Sequence, residues 1–501
     1  MAFTASLPRP NQCCQSNTML GAMELLDADL DKKTGTMKNL CDDVLYRIFS
    51  CTVEGFHEVT WVEMRTVSTS LTLMRLSHVD ARWRSLVVKA PHLWAQHLDI
   101  GPNTSADWIG VALKRASNLT IRLHLMDPAM TPGDAKWLHA VSVFPRCTFL
   151  RFQQRDATSS STMGLVITTP APVLEECIID CDATGRVLVL WKPLFANAAP
   201  QLKTIRLTAA VSRELRRSGS PGAPLSIAGL ICLQRMSHLT VLDLTCLENS
   251  QPSSPFRCSD KPLKFPRLKV LKIASSPPFV AHFLDATDMP NMTLISVTCT
   301  VTMYAPLQHT QAILGPLLRH YHPQAFTHIG FHIGEGGFRF QLISGEGRAL
   351  MVQLRCDELP RPITRHPVSI PPPMQSQVDE QDGAYLDLLH EAFWAGLAEH
   401  IERGIQLAVA TTGSVSRGMF PWHAKALFTH FEVRSIRFAD VETAGDMRWR
   451  EMLRSCEEKG QLKHVCCIHV PNRIVWRSCW HGLEGIRHLL VPNLSECRRS
   501  L

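Results

Sequence analysis

Six short segments of this chain share one apolar pattern, and their spacing restricts the fold more than any other feature. "FPRCTFLRF", "APVLEECII", "APQLKTIRL", "MSHLTVLDL", "FPRLKVLKI" and "MPNMTLISV" each read as a short approach followed by apolar-x-x-apolar-x-apolar. Anchored on Cys147, Leu174, Leu202, Leu239, Leu268 and Met292, they recur at intervals of 27, 28, 37, 29 and 24 residues. The longest interval holds "RRSGSPGAP", a loop insertion by composition. The last two apolar positions of each segment alternate, as a short strand buried on one face requires. Strands are expected near 150–152, 177–179, 205–207, 242–244, 271–273 and 295–297. A unit of this kind buries its apolar strand face only against its neighbours, so the strands should lie parallel, side by side and in chain order.

Four of the five intervals fall in the roughly 20–29-residue period of leucine-rich repeats, which the region resembles in degenerate form. The consensus asks for Asn or Cys three residues after the third apolar position. Here Asp182, Ala210 and Leu247 stand at such places, while Cys181, Cys246 and Cys299 come one residue early. The asparagine ladder of a regular horseshoe is therefore missing. An irregular solenoid is the reading adopted, the alternative being an α/β domain whose strands merely recur at this spacing.

A different pattern precedes the repeats. In "RLSHVDARWRSLVVKAPHLW", Leu76, Val79, Trp83, Leu86 and Val87 fall at i, i+3, i+7, i+10 and i+11, one face of a helix. Ser77 and Asp80 read as tolerated interior residues of that helix, and Pro91 ends it near Lys89. His92, Leu93 and Trp94 should then fold back, with Leu93 and Trp94 capping the apolar face. Upstream, "LCDDVLYRIFS" offers Asp42 or Asp43 to the free N–H groups of a first turn. Val44, Leu45, Ile48 and Phe49 supply its apolar stripe. Residues 1–37 mix Ser, Thr, Asn, Gln and Pro and are expected to be a disordered arm. Residues 358–383 are Pro-rich and polar, an extended linker or loop. After them, "LDLLHEAFWAGLAEHI" reads as an amphipathic helix, and "HFEVRSIRFAD" and "LKHVCCIHV" as further strand units. Residues 384–501 are thus expected to continue and cap the repeats.

Composition narrows the function. The net charge of +7 is spread along 501 residues and forms no block of like charge, so nucleic acid is not an expected partner. No apolar run is long enough to span a membrane. The 17 cysteines form no regular framework, and the N-terminus lacks a signal-peptide pattern. Reduced thiols in the cytoplasm or nucleus follow. The sequons at Asn103, Asn118 and Asn291 are then coincidental.

Motifs for chemistry are absent from the linear sequence. "HIGFHIGEGGFRF" has glycines, yet they match neither a dinucleotide loop nor a Walker loop; a strand ending in a glycine turn fits better. Cys456, His464, Cys466, Cys467, His469, Cys479 and His481 cluster without the paired spacing of a zinc site. They read as buried thiols with histidines at the edges. The acidic pairs Asp42–Asp43, Glu175–Glu176 and Glu457–Glu458 read as solvated turns and helix starts. No catalytic residue, metal or cofactor is expected. An enzyme with a site dispersed over the C-terminal half stays open as an alternative.

The two N-terminal blocks together resemble an F-box, in the F-box-like form abundant in mushroom-type fungi. Leu40, Asp43, Val44, Leu45, Ile48 and Phe49 match the first block. Val79, Trp83, Arg84, Leu86, Pro91, Leu93 and Trp94 match the second. The resemblance spans residues 38–97, with Cys41 where the family usually carries proline and a longer connection from Phe49 to Leu76. It implies a three-helix F-box followed, over residues 98–357, by the leucine-rich-like α/β solenoid, a mixed α/β chain. It further implies a non-catalytic substrate receptor of a Skp–cullin–F-box ubiquitin ligase, holding an unidentified protein substrate on the repeats. Leu40, Cys41, Val44, Leu45 and Ile48 would face the Skp-type adaptor. Phe49, Leu76, Val79, Trp83, Leu86, Leu93 and Trp94 would form the core of the box. A leucine-rich scaffold with a vestigial box, recruiting neither adaptor nor cullin, is the other reading.

Overall fold

The computed structural model describes residues 40–58, 69–96, 98–101, 104–126, 133–154, 168–181, 194–209, 233, 235–246, 262–301, 313, 315–320, 326–334, 337–345, 347–356, 397, 407–412, 429, 431–438, 447–470 and 490–492. The expected arm at 1–37, the Pro-rich stretch at 358–383 and most of the helix expected after it lie outside these residues. Contacts divide the chain into two compact units, residues 1–150 and 151–501. The division falls after residue 150, so the elements between residues 98 and 150 group with the N-terminal helices.

Among the described residues the first unit begins with four helices, α1 (Asp42–Glu58), α2 (Thr69–Ser77), α3 (Ala81–Lys89) and α4 (Pro91–Gln96). Leu45, Phe49 and Val53 recur every fourth residue along α1 and are buried, while Asp42 and Asp43 occupy its first turn. The continuous helix expected through Leu76 and Trp83 is instead two helices. Asp80 takes an extended conformation (φ −154°, ψ 175°) and its carboxylate accepts the Trp83 N–H at 2.8 Å. A cap satisfying an orphan N–H outweighs the apolar spacing that runs across it. α3 ends at Lys89 as Pro91 demands, and Pro91 then starts α4, where its missing N–H costs nothing.

β1 (Leu98–Ile100), α5 (Ala106–Ala116) and β2 (Ile121–Met126) form a β–α–β unit whose strands pair in parallel, Leu98 with Leu123 and Ile100 with Leu125. Ser105 caps α5 by accepting the Trp108 N–H at 3.2 Å. Ile109, Ala112 and Ala116 bury one face of that helix. Next comes α6 (Ala135–Val143), capped by Asp134 at 2.9 Å from the Lys136 N–H. β3 (Cys147–Gln154) carries the chain across the division.

The second unit is built on a large, mostly parallel sheet. β4 (Glu176–Cys181), β5 (Thr204–Ala209), β6 (Val241–Cys246), β8 (Val270–Ser275) and β10 (Leu294–Val301) pair in parallel and in chain order. Each contains the three-residue strand expected from the pattern. β7 (Leu263–Lys264) and β9 (Thr287–Asp288) form a separate two-stranded ladder. The approach to β4, β5, β6 and β8 repeats as a turn: the N–H of Leu174, Leu202, Leu239 and Leu268 reaches the carbonyl of Ala171, Ala199, Met236 and Phe265, at 3.1, 3.2, 3.1 and 3.3 Å. Pro172, Pro200 and Pro266 hold the second turn position, whose φ the ring presets. Both ends of each turn are buried, so every unit is pinned before its strand begins. Between β8 and β10, α7 (Pro277–Asp285) packs Phe279, Val280, Phe283 and Leu284 inward.

After β10 chain order is interrupted. β11 (Phe326–Gly334), β12 (Gly337–Ser344) and β13 (Ala349–Cys356) form an antiparallel meander. Its last strand, β13, rather than its first, pairs with β10, and β14 (Leu407–Thr412) then adds in parallel to β11. The glycine turn of "HIGEGGF" is the first hairpin of this meander, with Gly334 opposite Gly337. β15 (Ser435–Phe438), β16 (Cys467–Val470) and β17 (Leu490–Pro492) continue in parallel, and α8 (Met447–Glu458) lies between the first two in sequence.

Candidate interaction surface

Helix α1 presents two faces of opposite use. Leu45, Phe49 and Val53 point into the helical core. Cys41, Val44 and Ile48, at i, i+3 and i+7, form an outward stripe, with Val44 40% and Ile48 37% exposed. Single exposed apolar side chains are common on any surface; here three fall on one side at helical spacing. Leu71 on α2 and Val88 on α3 are further exposed apolar residues of this unit.

Of the five residues expected to face the adaptor, Cys41, Val44 and Ile48 lie on the stripe, and Leu40 sits half-buried at its head. Leu45 does not: it is completely buried, because a fourfold repeat with Phe49 and Val53 turns it inward. Of the expected core of the box, Phe49, Leu93 and Trp94 are buried, while Leu76, Trp83 and Leu86 are half-buried. Val79 is 59% exposed, since it lies in the α2–α3 turn that the Asp80 cap creates.

The packing of these helices is aromatic. Trp83 meets Phe49 edge-on, centroids 4.9 Å apart. Trp94 is buried, donates its indole N–H to the Val87 carbonyl at 2.8 Å, and stands edge-on to Trp108 at 5.8 Å. Arg115 lies over the Trp94 ring at 4.5 Å, a cation–π contact. The Arg82 guanidinium joins α3 to the start of α1, with Nη2 at 2.6 Å and Nε at 2.8 Å from Asp42 Oδ1. Nη2 also donates to the Leu40 carbonyl. Arg82 was not singled out by the sequence; its partners lie forty residues upstream, beyond any local signal.

No protein-family model matches the chain, and no curated protein matches it.

The sheet of the second unit offers the other broad surface. One face carries the apolar rows of the core. The opposite face carries, in register across β4, β5, β6, β8, β10 and β13, the row Ile178, Arg206, Asp243, Lys272, Ser296 and Met351. A second row holds Asp180, Thr208, Thr245, Ala274, Thr298 and Gln353. Arg206 and Lys272 are exposed, and most of the others are half-buried. Arg151 pairs with Asp180 at 3.1 Å and Arg206 with Glu176 at 3.7 Å. Burial nevertheless pushes the Asp180 carboxyl up from its ordinary value, against the pull of Arg151 and a Thr208 hydrogen bond.

The His/Cys cluster near the C-terminus is dispersed. Cys456 is buried in α8, Cys466 is exposed, and the Cys467 Sγ lies 3.1 Å from Ser435 Oγ. His464 Nε2 lies 3.7 Å from Glu432, and Cys479 and His481 fall outside the described residues. Among the described residues no group of three or more His, Cys, Asp or Glu is placed to hold a metal ion. Glu175 pairs with Lys203 at 3.0 Å, an ordinary surface ion pair. In the first unit, Asp99 and His124 are buried cross-strand neighbours. Among the described residues no helix is long and apolar enough to cross a membrane.

Proposed function

We propose that this chain is the substrate-recognition subunit of a Skp–cullin–F-box ubiquitin ligase, with α1–α4 as the F-box-like module. The observation that carries the reading is the outward stripe Cys41, Val44 and Ile48 on a helix whose other face is fully committed to the core. A helix so divided can offer its apolar stripe to a partner without unfolding. Val44 and Ile48 of the stripe are among the residues by which the sequence resembles an F-box, and Cys41 stands where that family usually carries proline. The parallel strands of the second unit are read as an irregular leucine-rich-like solenoid, whose polar sheet face holds a protein substrate. Such a receptor does no chemistry; it raises the local concentration of substrate beside a charged conjugating enzyme. Its place of work is the cytoplasm or nucleus.

The test is affinity capture of the full chain with purified Skp-type adaptor and cullin. Co-capture of both, lost on Ile48→Glu, supports the assignment. If neither is captured although the box is folded, the chain is a leucine-rich scaffold with a vestigial box.

A further inference from the structure

We propose that Arg82 is a positioning residue for the docking stripe, fixing the lead-in to α1 by gripping the residue on each side of Cys41. The proposal rests on the adaptor-docking reading above. Its basis is a bridge of unusual placement. One guanidinium reaches Asp42 Oδ1 through Nη2 at 2.6 Å and Nε at 2.8 Å, and donates through Nη2 to the Leu40 carbonyl. The residue enclosed by this bridge is the one on which the helix start depends. The Cys41 carbonyl accepts the N–H groups of both Val44 and Leu45 at 3.1 Å. Its backbone angles therefore decide where Leu40, Cys41 and Val44 point.

A proline at such a position would preset φ near about −65° through its ring. Cysteine has no such restraint. The chain supplies it from outside, from a base that is itself held in place. Arg82 is the second residue of α3, whose N-terminus is capped by Asp80 and whose Trp83 packs on Phe49. Two donors set in one plane are needed to hold a carboxylate and a carbonyl together, a geometry that arginine has and lysine lacks. The pair is partly exposed, with side chains 38% and 60% accessible, so global stability is not where its effect is expected. The effect lies in the order of residues 40–45, and hence in the readiness of the stripe to dock.

The experiment measures two things on the full chain: amide hydrogen exchange, and affinity for a purified Skp-type adaptor. In Arg82→Ala, exchange at Val44 and Leu45 should rise roughly tenfold, with amides in the middle of α3 unchanged, and adaptor affinity should fall roughly tenfold. Arg82→Lys should resemble Arg82→Ala. In the Cys41→Pro background Arg82→Ala should change neither readout by more than about twofold, because the proline ring then supplies the restraint that the guanidinium otherwise gives. This non-additivity separates positioning from a merely structural role. Unchanged exchange at Val44 and Leu45 in Arg82→Ala overturns the proposal. So does loss of protection throughout α3, which would make Arg82 a support of the whole box. Equal gains from Cys41→Pro in both backgrounds also overturn it. If the exchange results hold and the unmodified chain still does not bind the adaptor, the clamp stands and the ligase reading falls.

Discussion

Trp94 and Val87 are joined by a hydrogen bond from the indole Nε1 to a main-chain carbonyl, 2.8 Å long and out of reach of water. Val87 is in the last turn of α3, where its carbonyl takes only the long Ala90 N–H bond of 3.4 Å besides the indole, and Trp94 belongs to the next helix. The bond closes the chain on itself around Pro91, which is why "KAPHLW" makes a tight corner. Trp94 thus does two jobs, filling volume and satisfying a helix end.

Trp94→Ala should cost the first unit about 3–5 kcal/mol, the usual range for a fully buried large aromatic. Trp94→Phe keeps most of the volume but removes the indole donor, leaving the Val87 carbonyl only the Ala90 N–H at 3.4 Å, and should cost about 0.5–1.5 kcal/mol. Trp83→Ala should cost less, about 2 kcal/mol, because Trp83 is only half-buried against Phe49. Denaturant unfolding followed by tryptophan fluorescence measures this order; a greater loss at Trp83 than at Trp94 would contradict it.

Asp180 gives the second unit a pH dependence of defined sign. Burial raises its carboxyl above the ordinary 3.8 despite Arg151 beside it, so the folded chain holds this proton more tightly than the unfolded chain. Its contribution is therefore favourable in acid and is lost as pH rises through the folded value. Asp180→Asn should gain in Tm relative to the unmodified chain as pH rises from about 4 to about 7. A variant that falls behind over this range would mean that attraction to Arg151 outweighs desolvation.

The cysteines should divide by burial. Loss of solvation holds the thiols of Cys147 and Cys299 up to about 12, so neither forms thiolate in neutral buffer. Alkylation of the native chain should mark Cys41, Cys51 and Cys466, which are exposed, before Cys147, Cys177, Cys299 and Cys456, which are buried. Peptide mass mapping before and after unfolding checks the order.

The repeat strands were legible because two local signals agree at most of them: an apolar–Pro–x–apolar turn, as in "APQL" and "FPRL" but with Ser237 for Pro in "MSHL", and alternation beyond it. The break between α2 and α3 was not, although its signal is present. Asp80 three residues before Trp83 is an N-cap pattern, but Leu76, Val79 and Trp83 also match a helical period, and spacing alone placed Val79 in a core that it does not enter. The F-box resemblance put Leu45 beside Val44 on the docking side, where the structure buries it. Neighbours on a helix lie about 100° apart, so only the partners of each face decide which turns inward. Arg82 with Leu40 and Asp42, and β13 rather than β11 beside β10, are contacts of long sequence separation. Local pattern carries no trace of them.

The docking stripe can be tested against the core one residue away. Ile48 is 37% exposed and Leu45 fully buried, yet both are apolar residues of α1. Ile48→Glu places a charge where water already reaches, so the change in unfolding free energy should stay below about 0.5 kcal/mol. In a complex the same carboxylate would sit unpaired in an apolar contact, which is costly enough to abolish adaptor binding. Leu45→Ala leaves a cavity between α1 and its neighbours and should cost about 2–5 kcal/mol, weakening binding only through loss of the folded box. Titration with adaptor and chemical denaturation of the same two variants separate the faces. An Ile48→Glu chain that binds adaptor as tightly as the unmodified one removes the stripe from the interface, whatever becomes of Leu45.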